Sequence, residues 1–508
     1  LHREKLKVVV CTSSLDLGVD FRPVDTVVQI GSPKGVARFL QRAGRSGHQP
    51  DAISKIYFVP THSLELVEAA ALKEAISQKV FEERQPILKP YDVLIQYLIT
   101  LAVSDGFDEG ETYKQVVSTF AYQTLRKDEW NWIMQFITSG GSALKNYDEY
   151  SKAVYFDGLF RVIDRRKILF HKLGIGTIDA EIAMNIKFMS GKNLGTIEES
   201  FIASMKPGDV FSFAGRSLEL VMIRESTAYV KRTKQKPYKV PSWMGGRMPL
   251  SSRLSEMLRQ KMNEAYDLFP KDIEIKTIKP LLDLQQYRSK VPTSNEFLIE
   301  MVETEEGYHA FFYPFEGRLV HEGMAALFSH RISQMMPRSF SFAMNDYGFE
   351  ILSDTEFSIE EAIKKGLFSL ENLVADIYKS LNSGELAKRR FRPIARISGL
   401  IFTGYPGKWK TSRHLQASAQ LLFDVFSKYE PENLLLKQAY EEMLQFQLEE
   451  ARLRRALDRI NKQKIIIKYP AKPTPFAFPI MVDIFREKLT SEQLEVRIRK
   501  MQMDYERD

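Results

Sequence analysis

Cys11-Thr12-Ser13-Ser14-Leu15-Asp16-Leu17-Gly18-Val19-Asp20 and Gln41-Arg42-Ala43-Gly44-Arg45-Ser46-Gly47-His48 decide how this chain is read. The first stretch follows an apolar β-branched run, Val8-Val9-Val10, that reads as a buried parallel strand. It ends in small hydroxyl residues and turns through Gly18 to Asp20. A second strand is expected over 26–30. A helix over 35–42 then brings Gln41 and Arg42, with Arg45 just beyond, to one place. Strand ends that offer hydroxyls and a carboxylate beside paired arginines suit a nucleotide phosphate and ribose.

Outward from this stretch, residues 1–82 read as strand, loop, strand, helix, strand (55–59), helix (63–80). That alternation indicates an α/β layer with a parallel sheet. A polar break follows at 82–86. Helices are expected at 91–103, 113–121 and 127–139, then short strands at 153–156, 159–163 and 168–171. Helices followed by a small β-ribbon suit a winged helix over 86–172; a helical spacer without nucleic-acid contact is the alternative. Residues 173–250 read as β structure. Alternation over 180–186 and short strands at 195–198, 209–213, 218–223 and 227–232 describe a meander, hence a small barrel-like module. Residues 251–508 read as mostly helical, with a strand pair at 297–303 and 307–312 and a long charged helix over 434–462. The expected fold class is multidomain, α/β plus α+β.

Composition sets outer bounds. A length of 508 residues accommodates several domains, and 44% hydrophobic residues are ample for packed cores. The 72 Lys and Arg against 65 Asp and Glu leave +7, a modest balance that favours a polyanionic partner. Cys11 stands alone, which excludes an intramolecular disulfide and a cysteine-based zinc site and fits a reducing cytoplasm. No apolar run approaches the roughly 20 residues needed to span a bilayer, so no membrane partner is expected.

Two motifs carry a family resemblance. T-S-S-L-D-L-G-V-D at 12–20 and Q-R-A-G-R-S-G-H at 41–48 are similar to motifs V and VI of superfamily 2 helicases. Further matches are P-F-E-G-R-L-V-H-E-G at 314–323, L-Q-A-S at 415–418 and P-T-P-F-A-F-P at 473–479. Together they make the whole chain resemble the Lhr (large helicase-related) family, and within it the DNA ligase-associated DEXH-box branch. The resemblance implies that 1–82 is the C-terminal part of a second RecA-like motor domain. It also implies that 86–172 is a winged helix, 173–250 a β-barrel-like module and 251–508 the Lhr-type helical C-terminal region. Gly407-Lys408 is followed by Trp409 and Gly191-Lys192 by Asn193, so neither completes G-K-[ST]; no Asp-Glu-x-His occurs, and the chain begins at Leu1. The expectation is therefore the C-terminal part of a helicase whose first motor domain lies elsewhere. That domain would hold most of the ATP and Mg2+, and this chain alone would turn over negligible ATP.

Residue roles follow from the same resemblance. Thr12 faces the tracked strand, where a hydroxyl and a free N–H can bind phosphate. Gly18 and Asp20 face the nucleotide. Arg45 is the arginine-finger residue, stabilising charge on the γ-phosphate. Arg42, one helical turn earlier, points the same way, and Gln41 links γ-phosphate, water and the facing domain. His48 stands where many relatives carry Arg, so any charge it adds is pH-dependent.

Two basic tracts suit nucleic acid. Lys231, Arg232, Lys234 and Lys236 lie among Tyr229 and Tyr238 and lead to Trp243. Lysines that hold phosphates beside rings that stack on bases fit a single strand; a core tryptophan beside a solvated hairpin is the alternative. From Lys388 to Arg413 no acidic residue interrupts a run that includes Arg389, Arg390, Phe391, Tyr405 and Trp409. His321-Glu322 fails as a zinc motif because Ala325 takes the second histidine's place, and no metal site is expected. Glu316 and Arg318 read as a structural pair or domain contact.

These readings converge on an ATP-dependent DNA helicase or translocase that acts on single-stranded DNA and unwinds duplex or RNA–DNA hybrid. The ligase-associated resemblance implies DNA repair, with a DNA ligase and nuclease system as partners. A nucleic-acid-binding protein without motor activity is the alternative.

Overall fold

Val27–Ile30 and Ile56–Val59 lie side by side as parallel strands in the computed structural model, in register from Val27↔Ile56 to Ile30↔Val59. The structure describes residues 7–11, 24–47, 53–82, 86–177, 183–198, 207–213, 216–224, 227–233, 248–268, 270–336, 340–380, 383–405, 408–409, 412–447 and 449–487, with single positions 202, 205 and 235. Two compact units divide the chain. Residues 1–83, 244–381 and 448–508 form the first, and residues 84–243 and 382–447 the second.

In the first unit, helices Val36–Ala43 and Glu65–Ser77 share one core with helices Ser252–Lys261 and Ile273–Arg288. Ala70, Ala71 and Ala75 of Glu65–Ser77 are fully buried, and such small side chains shorten the distance between packed helices. The core continues into a five-stranded sheet ordered Ser341–Met344, Phe349–Ser353, Gly307–Phe312, Glu296–Thr304, Lys464–Lys468. Lys464–Lys468 runs parallel to Glu296–Thr304, and the other neighbours are antiparallel.

The expected strand at Val8–Val10 is not formed. Val8 and Val10 are 78% and 93% exposed. A strand exists only with a hydrogen-bonded neighbour, and among the described residues the parallel sheet has two strands, neither of them this one.

The second unit contains the winged helix. Helices Tyr91–Val103 and Lys127–Ser139 fall where apolar spacing places them. The helix between them, Glu109–Val117, starts earlier than expected because the Asp108 carboxylate accepts from the Glu111 N–H as its N-cap. The wing is the hairpin Val154–Phe156/Leu159–Arg161, which turns through Asp157 and Gly158 at φ of 51° and 77°. Two left-handed residues in a two-residue loop match the twist of the strands they join. Phe107 bridges to Phe160 as the third short strand. Residues 168–171 form no strand; they belong to helix Arg165–Gly174, whose N-terminus Asp164 caps through the Arg166 N–H. The cap and the preceding turn outweigh the β-prone Ile168-Leu169-Phe170 run.

The β module follows. Its five strands are ordered Asn193–Glu198, Ala183–Phe188, Thr227–Arg232, Arg216–Arg224, Val210–Phe213. The first and last strands in sequence pair in parallel at the centre of the sheet, so the module is not the expected simple meander; among the described residues Asn193–Glu198 and Val210–Phe213 are its edges. Met184 and Ile186 from one end meet Ala228 and Val230 from the other in a single core, which drives that pairing.

Helices Ser383–Ile397, Ser412–Tyr429 and Leu434–Glu442 share the winged helix's core, joining Phe391, Phe426 and Leu435 to Leu94, Ile95 and Trp130. Residues 382–447 thus stand in the second unit, although the sequence reading assigns all of 251–508 to one region. The helix expected over 434–462 is also broken. Leu434–Glu442 passes into a π-helical turn at Met443–Gln447, Glu449 takes a left-handed φ of 44°, and a new helix runs from Glu450 to Lys462. Leu435 and Ala439 are buried in the second unit, whereas Leu453 and Leu457 are buried and lie within the first. One straight helix would have to serve both. Among the described residues, no helix is long and apolar enough to cross a membrane.

Candidate nucleotide and nucleic-acid sites

The motif VI helix, Val36–Ala43, is held at both ends by side chains from elsewhere in its unit. Gly35 supplies no capping side chain. Instead the Glu82 carboxylate accepts from the N–H of Val36 (2.5 Å) and of Ala37 (2.8 Å), and from the Ser251 hydroxyl (2.8 Å). A Cβ at position 35 would sit 2.9 Å from Glu82 Oε1, so glycine is what lets the carboxylate reach the helix. Burial pushes the Glu82 carboxyl up, but the hydrogen bonds from Ala37, Ser251 and Val36 outweigh it and hold it below its ordinary value.

At the other end the chain bends sharply. Arg42 Nη1 donates to Gln29 Oε1 on the first parallel strand, and Gln29 Nε2 donates to the Gly31 carbonyl at 2.8 Å. Ser46 is buried. Its hydroxyl donates to the Ala43 carbonyl at 2.8 Å and accepts from the Lys55 N–H at 2.9 Å. Gly47 has φ +72°, and a Cβ there would lie 2.7 Å from the Ser54 nitrogen. The glycine and serine of the motif therefore fold the turn that carries Arg45. Gln41 is exposed at this end. Arg45 is half-buried, and its Nε is buried without a hydrogen-bond partner among the described residues. An orphaned buried guanidinium N–H is costly; the Nε of Arg161 is in the same condition, so the feature is not particular to Arg45.

The loop before this helix is equally fixed. Lys34, at φ 64°, pairs with Asp346 at 2.8 Å and lies 3.9 Å from Glu68. Asp346 also accepts from the N–H groups of Leu250 and Arg318, at 3.1 and 3.0 Å. Glu68, almost fully buried, accepts from the Tyr347 hydroxyl at 2.5 Å and from the Ser32 hydroxyl. Burial lowers the Lys34 pKa, and the charges of Glu68 and Asp346 more than reverse this. Sequence reading missed Glu82, Ser251, Lys34 and Asp346, since their roles depend on contacts between distant positions.

Three family descriptions match the chain. "Large helicase-related protein, winged helix domain" covers residues 74–240, "DEAD/H associated" covers 291–477, and "Helicase conserved C-terminal domain" covers 1–49. The chain is 29% identical over 501 residues to ATP-dependent helicase Lhr-Core protein 2 of Thermococcus barophilus, covering 95% of this chain and 58% of that protein. It is 28% identical over 516 residues to ATP-dependent helicase Lhr-Core of Methanocaldococcus jannaschii, covering 99% and 60%. The chain is thus similar to Lhr-family proteins over nearly its whole length. It spans about 60% of the length of these Lhr-Core relatives. Its fold is similar to that of the Mycobacterium smegmatis helicase Lhr solved with ssDNA and AMP-PNP, at a TM-score of 0.68 and 22% identity over 92% of this chain and 57% of that one.

Of the residues expected to contact nucleotide or nucleic acid, Thr12, Gly18, Asp20, Lys234, Lys236 and Trp243 lie outside the described residues. Lys231 pairs with Glu219 at 2.8 Å, and the Arg232 guanidinium lies 5.7 Å over the Phe188 ring. The 388–413 tract is less open than its composition implies. Lys388 pairs with Asp424 at 3.1 Å, Arg390 pairs with Glu442 at 2.6 Å, and Phe391 is fully buried. Acidic partners from later helices neutralise part of the run, and Arg389 stays exposed.

Two further family motifs have structural roles. Glu316 of P-F-E-G-R is buried and pairs with three arginines: Arg259 at 2.7 Å, Arg452 at 3.0 Å and Arg459 at 3.0 Å. Thr474 of P-T-P-F donates to the buried Glu300 at 2.6 Å, and Glu300 also accepts from Tyr313 at 2.6 Å and Gln285 at 2.8 Å. The second network ties Thr474 to strand Glu296–Thr304, and the first ties helix Glu450–Lys462 to the loop that precedes helix Arg318–Met335.

Proposed function

We propose that this chain is the C-terminal part of an ATP-dependent DNA helicase or translocase. The observation that carries the reading is the end of helix Val36–Ala43, where exposed Gln41, anchored Arg42 and the orphaned Nε of Arg45 meet. Such a set suits the γ-phosphate of ATP bound on a facing motor domain. Charge that develops on the transferred phosphoryl oxygens would meet the guanidinium of Arg45, which the Gly44–Gly47 turn carries. Arg42 would hold the helix in register, and Gln41 would hydrogen-bond the phosphate or attacking water. Gly18 and Asp20 would face the nucleotide, and Thr12 the tracked strand. Among the described residues no group of three or more His, Cys, Asp or Glu could hold a metal ion. Mg2+ would be held mainly by the facing motor domain.

Single-stranded DNA is the proposed track, with Lys231, Arg232, Lys234, Lys236, Trp243, Arg389 and Arg390 as contacts and duplex DNA or RNA–DNA hybrid as the unwound substrate. Work in cytoplasmic DNA repair beside a DNA ligase and nuclease is part of the same proposal. The test is phosphate release by the protein joined to a motor domain bearing G-K-[ST] and D-E-x-H, with and without single-stranded DNA. Arg45→Ala is expected to lower DNA-stimulated turnover by roughly 10³-fold while DNA binding stays near wild type. Near-normal turnover by Arg45→Ala would remove that residue from the site. No DNA-stimulated turnover by the wild type would favour a nucleic-acid-binding protein without motor activity.

A further inference from the structure

We propose that Thr304, His309 and Glu350 form an acyl-transfer site, with the Thr304 hydroxyl as nucleophile and small uncharged esters as its substrates. The helicase reading uses none of these residues, and the two stand or fall separately.

The three side chains cross three neighbouring strands of the five-stranded sheet. His309 stands opposite Val302 on Glu296–Thr304 and opposite Leu352 on Phe349–Ser353. Thr304 is two residues beyond Val302 and Glu350 two before Leu352, so all three project from one face. Thr304 Oγ1 lies 2.6 Å from His309 Nε2, and His309 Nδ1 meets Glu350 Oε1. The Phe311 ring stacks beside the imidazole at 5.7 Å and 3°. A carboxylate only accepts, so Nδ1 carries the proton of the neutral ring and Nε2 turns its lone pair to the threonine hydroxyl. The Glu306 N–H donates to Thr304 Oγ1 at 3.1 Å, which leaves the hydroxyl proton for His309. Nucleophile, base and orienting acid are thus linked in the order that activates a hydroxyl.

His309 and Glu350 are fully buried, whereas Thr304 is partly exposed at the end of its strand. Base and acid are closed off while the hydroxyl stays within reach. Glu350 Oε2 is buried without a hydrogen-bond partner among the described residues. A pair that only braced the sheet would gain by satisfying that oxygen. Left unpaired, its charge is available to stabilise the imidazolium that forms when His309 takes a proton.

The mouth of the site is acidic. Glu303, Glu305, Glu306, Asp354 and Glu356 are exposed, and residues 302–309 and 349–357 contain no Lys or Arg. The charges of Glu303 and Glu356 push the Tyr308 phenol up, so both act on the same rim of the sheet. Such a surface repels nucleotides and other anionic donors. In the step itself Thr304 Oγ1 bonds to the acyl carbon as its proton passes to His309 Nε2. The ester C–O bond then breaks, and His309 returns the proton to the departing alkoxide. The products are an O-acyl Thr304 and a free alcohol.

The test incubates this chain with p-nitrophenyl acetate, follows p-nitrophenolate release and locates the acetyl group by mass spectrometry of peptides. Wild type and Thr304→Ser should carry acetyl on residue 304. Thr304→Val, which keeps the shape, should lose that share of the release. His309→Gln should slow acetylation of Thr304 roughly 100-fold or more. Glu350 acts through His309 and is a positioning residue. Glu350→Gln should slow the reaction as well and abolish the low-field Nδ1–H proton resonance of His309, which Thr304→Val should retain. If either buried variant fails to fold, Thr304→Val and Thr304→Ser still decide. An unmodified Thr304 in wild type overturns the site, as does acetylation of Thr304 at the wild-type rate in folded His309→Gln. Release by Thr304→Val equal to that of wild type overturns it too.

Discussion

Glu316→Ala should strip the first unit of several kcal/mol while leaving the second almost untouched. Glu316 is buried among Arg259, Arg452 and Arg459, each within 3.0 Å. Its removal leaves three guanidiniums facing the single carboxylate of Glu449, which pairs with Arg452 at 2.9 Å. Breaking one buried ion pair costs about 3–5 kcal/mol, because the partner's charge stays buried. Here the arginines keep other acceptors. Arg452 retains the Leu250 carbonyl and Ser255 hydroxyl, Arg459 the Pro314 carbonyl and Arg259 the Phe315 carbonyl. The loss should therefore fall near the lower end, about 3 kcal/mol, a large share of the roughly 5–15 kcal/mol that holds a domain together. The sequence supplies an internal control. All four tryptophans, Trp130, Trp132, Trp243 and Trp409, belong to the second unit. Urea unfolding followed by hydrogen exchange in Ser252–Lys261 and Glu450–Lys462 should move, while tryptophan emission should hold its midpoint. The pH dependence has a definite sign. Burial pushes the Glu316 carboxyl up, but the three arginines hold it below its ordinary value. Its contribution is then complete above the unfolded carboxylate pKa of about 4.3 and fades as pH falls through the lower folded value. A loss under about 1 kcal/mol at neutral pH would refute the account, since no buried cation can lose its main anion so cheaply.

Glu82→Ala should cost about 1–2 kcal/mol by removing the carboxylate from the N-terminus of helix Val36–Ala43. Amide exchange in that helix is the direct measurement, and unchanged protection would mean that the cap does not hold it. Asp92→Asn should stabilise the second unit at neutral pH, by on the order of 1–2 kcal/mol, because burial raises the Asp92 carboxyl to about 6. A raised carboxyl contributes fully below the unfolded pKa and loses that contribution as pH rises through the folded value, so the gain should vanish near pH 4. Tryptophan-monitored unfolding at the two pH values checks it, and an equal gain at both would show that ionisation is not the cause.

What the sequence made legible was local. The Gln41-to-Gly47 pattern and the helices Tyr91–Val103 and Lys127–Ser139 are set by residues within a turn or two of one another, and each stands where spacing puts it. The misplaced elements are those whose fate depends on distant partners. Val8–Val10 has the composition of a strand, but composition provides no hydrogen-bonded neighbour. Lys464–Lys468 has a β-branched run that becomes a strand by pairing in parallel with Glu296–Thr304, far away in sequence. Apolar spacing extends across the break between Glu442 and Glu450, yet the two helices serve different cores. Arg165–Gly174 failed for the opposite reason, since its deciding signal, the Asp164 cap, was local and a three-residue apolar run obscured it.

The same division runs through the candidate site. Gln41, Arg42 and Arg45 are readable because their chemistry and spacing sit in one short motif. What gives them a fixed geometry does not. Glu82 holds the start of the motif VI helix and Gln29 its end, while Ser251, four residues past Arg247, donates to Glu82 and also caps the next helix through the Leu254 N–H. The Ser251 N–H meanwhile donates to the Lys34 carbonyl at 2.8 Å, and Lys34 is itself held by Asp346. The motif VI helix is thus anchored to the start of helix Ser252–Lys261 and to the Asp346 turn between strands Ser341–Met344 and Phe349–Ser353.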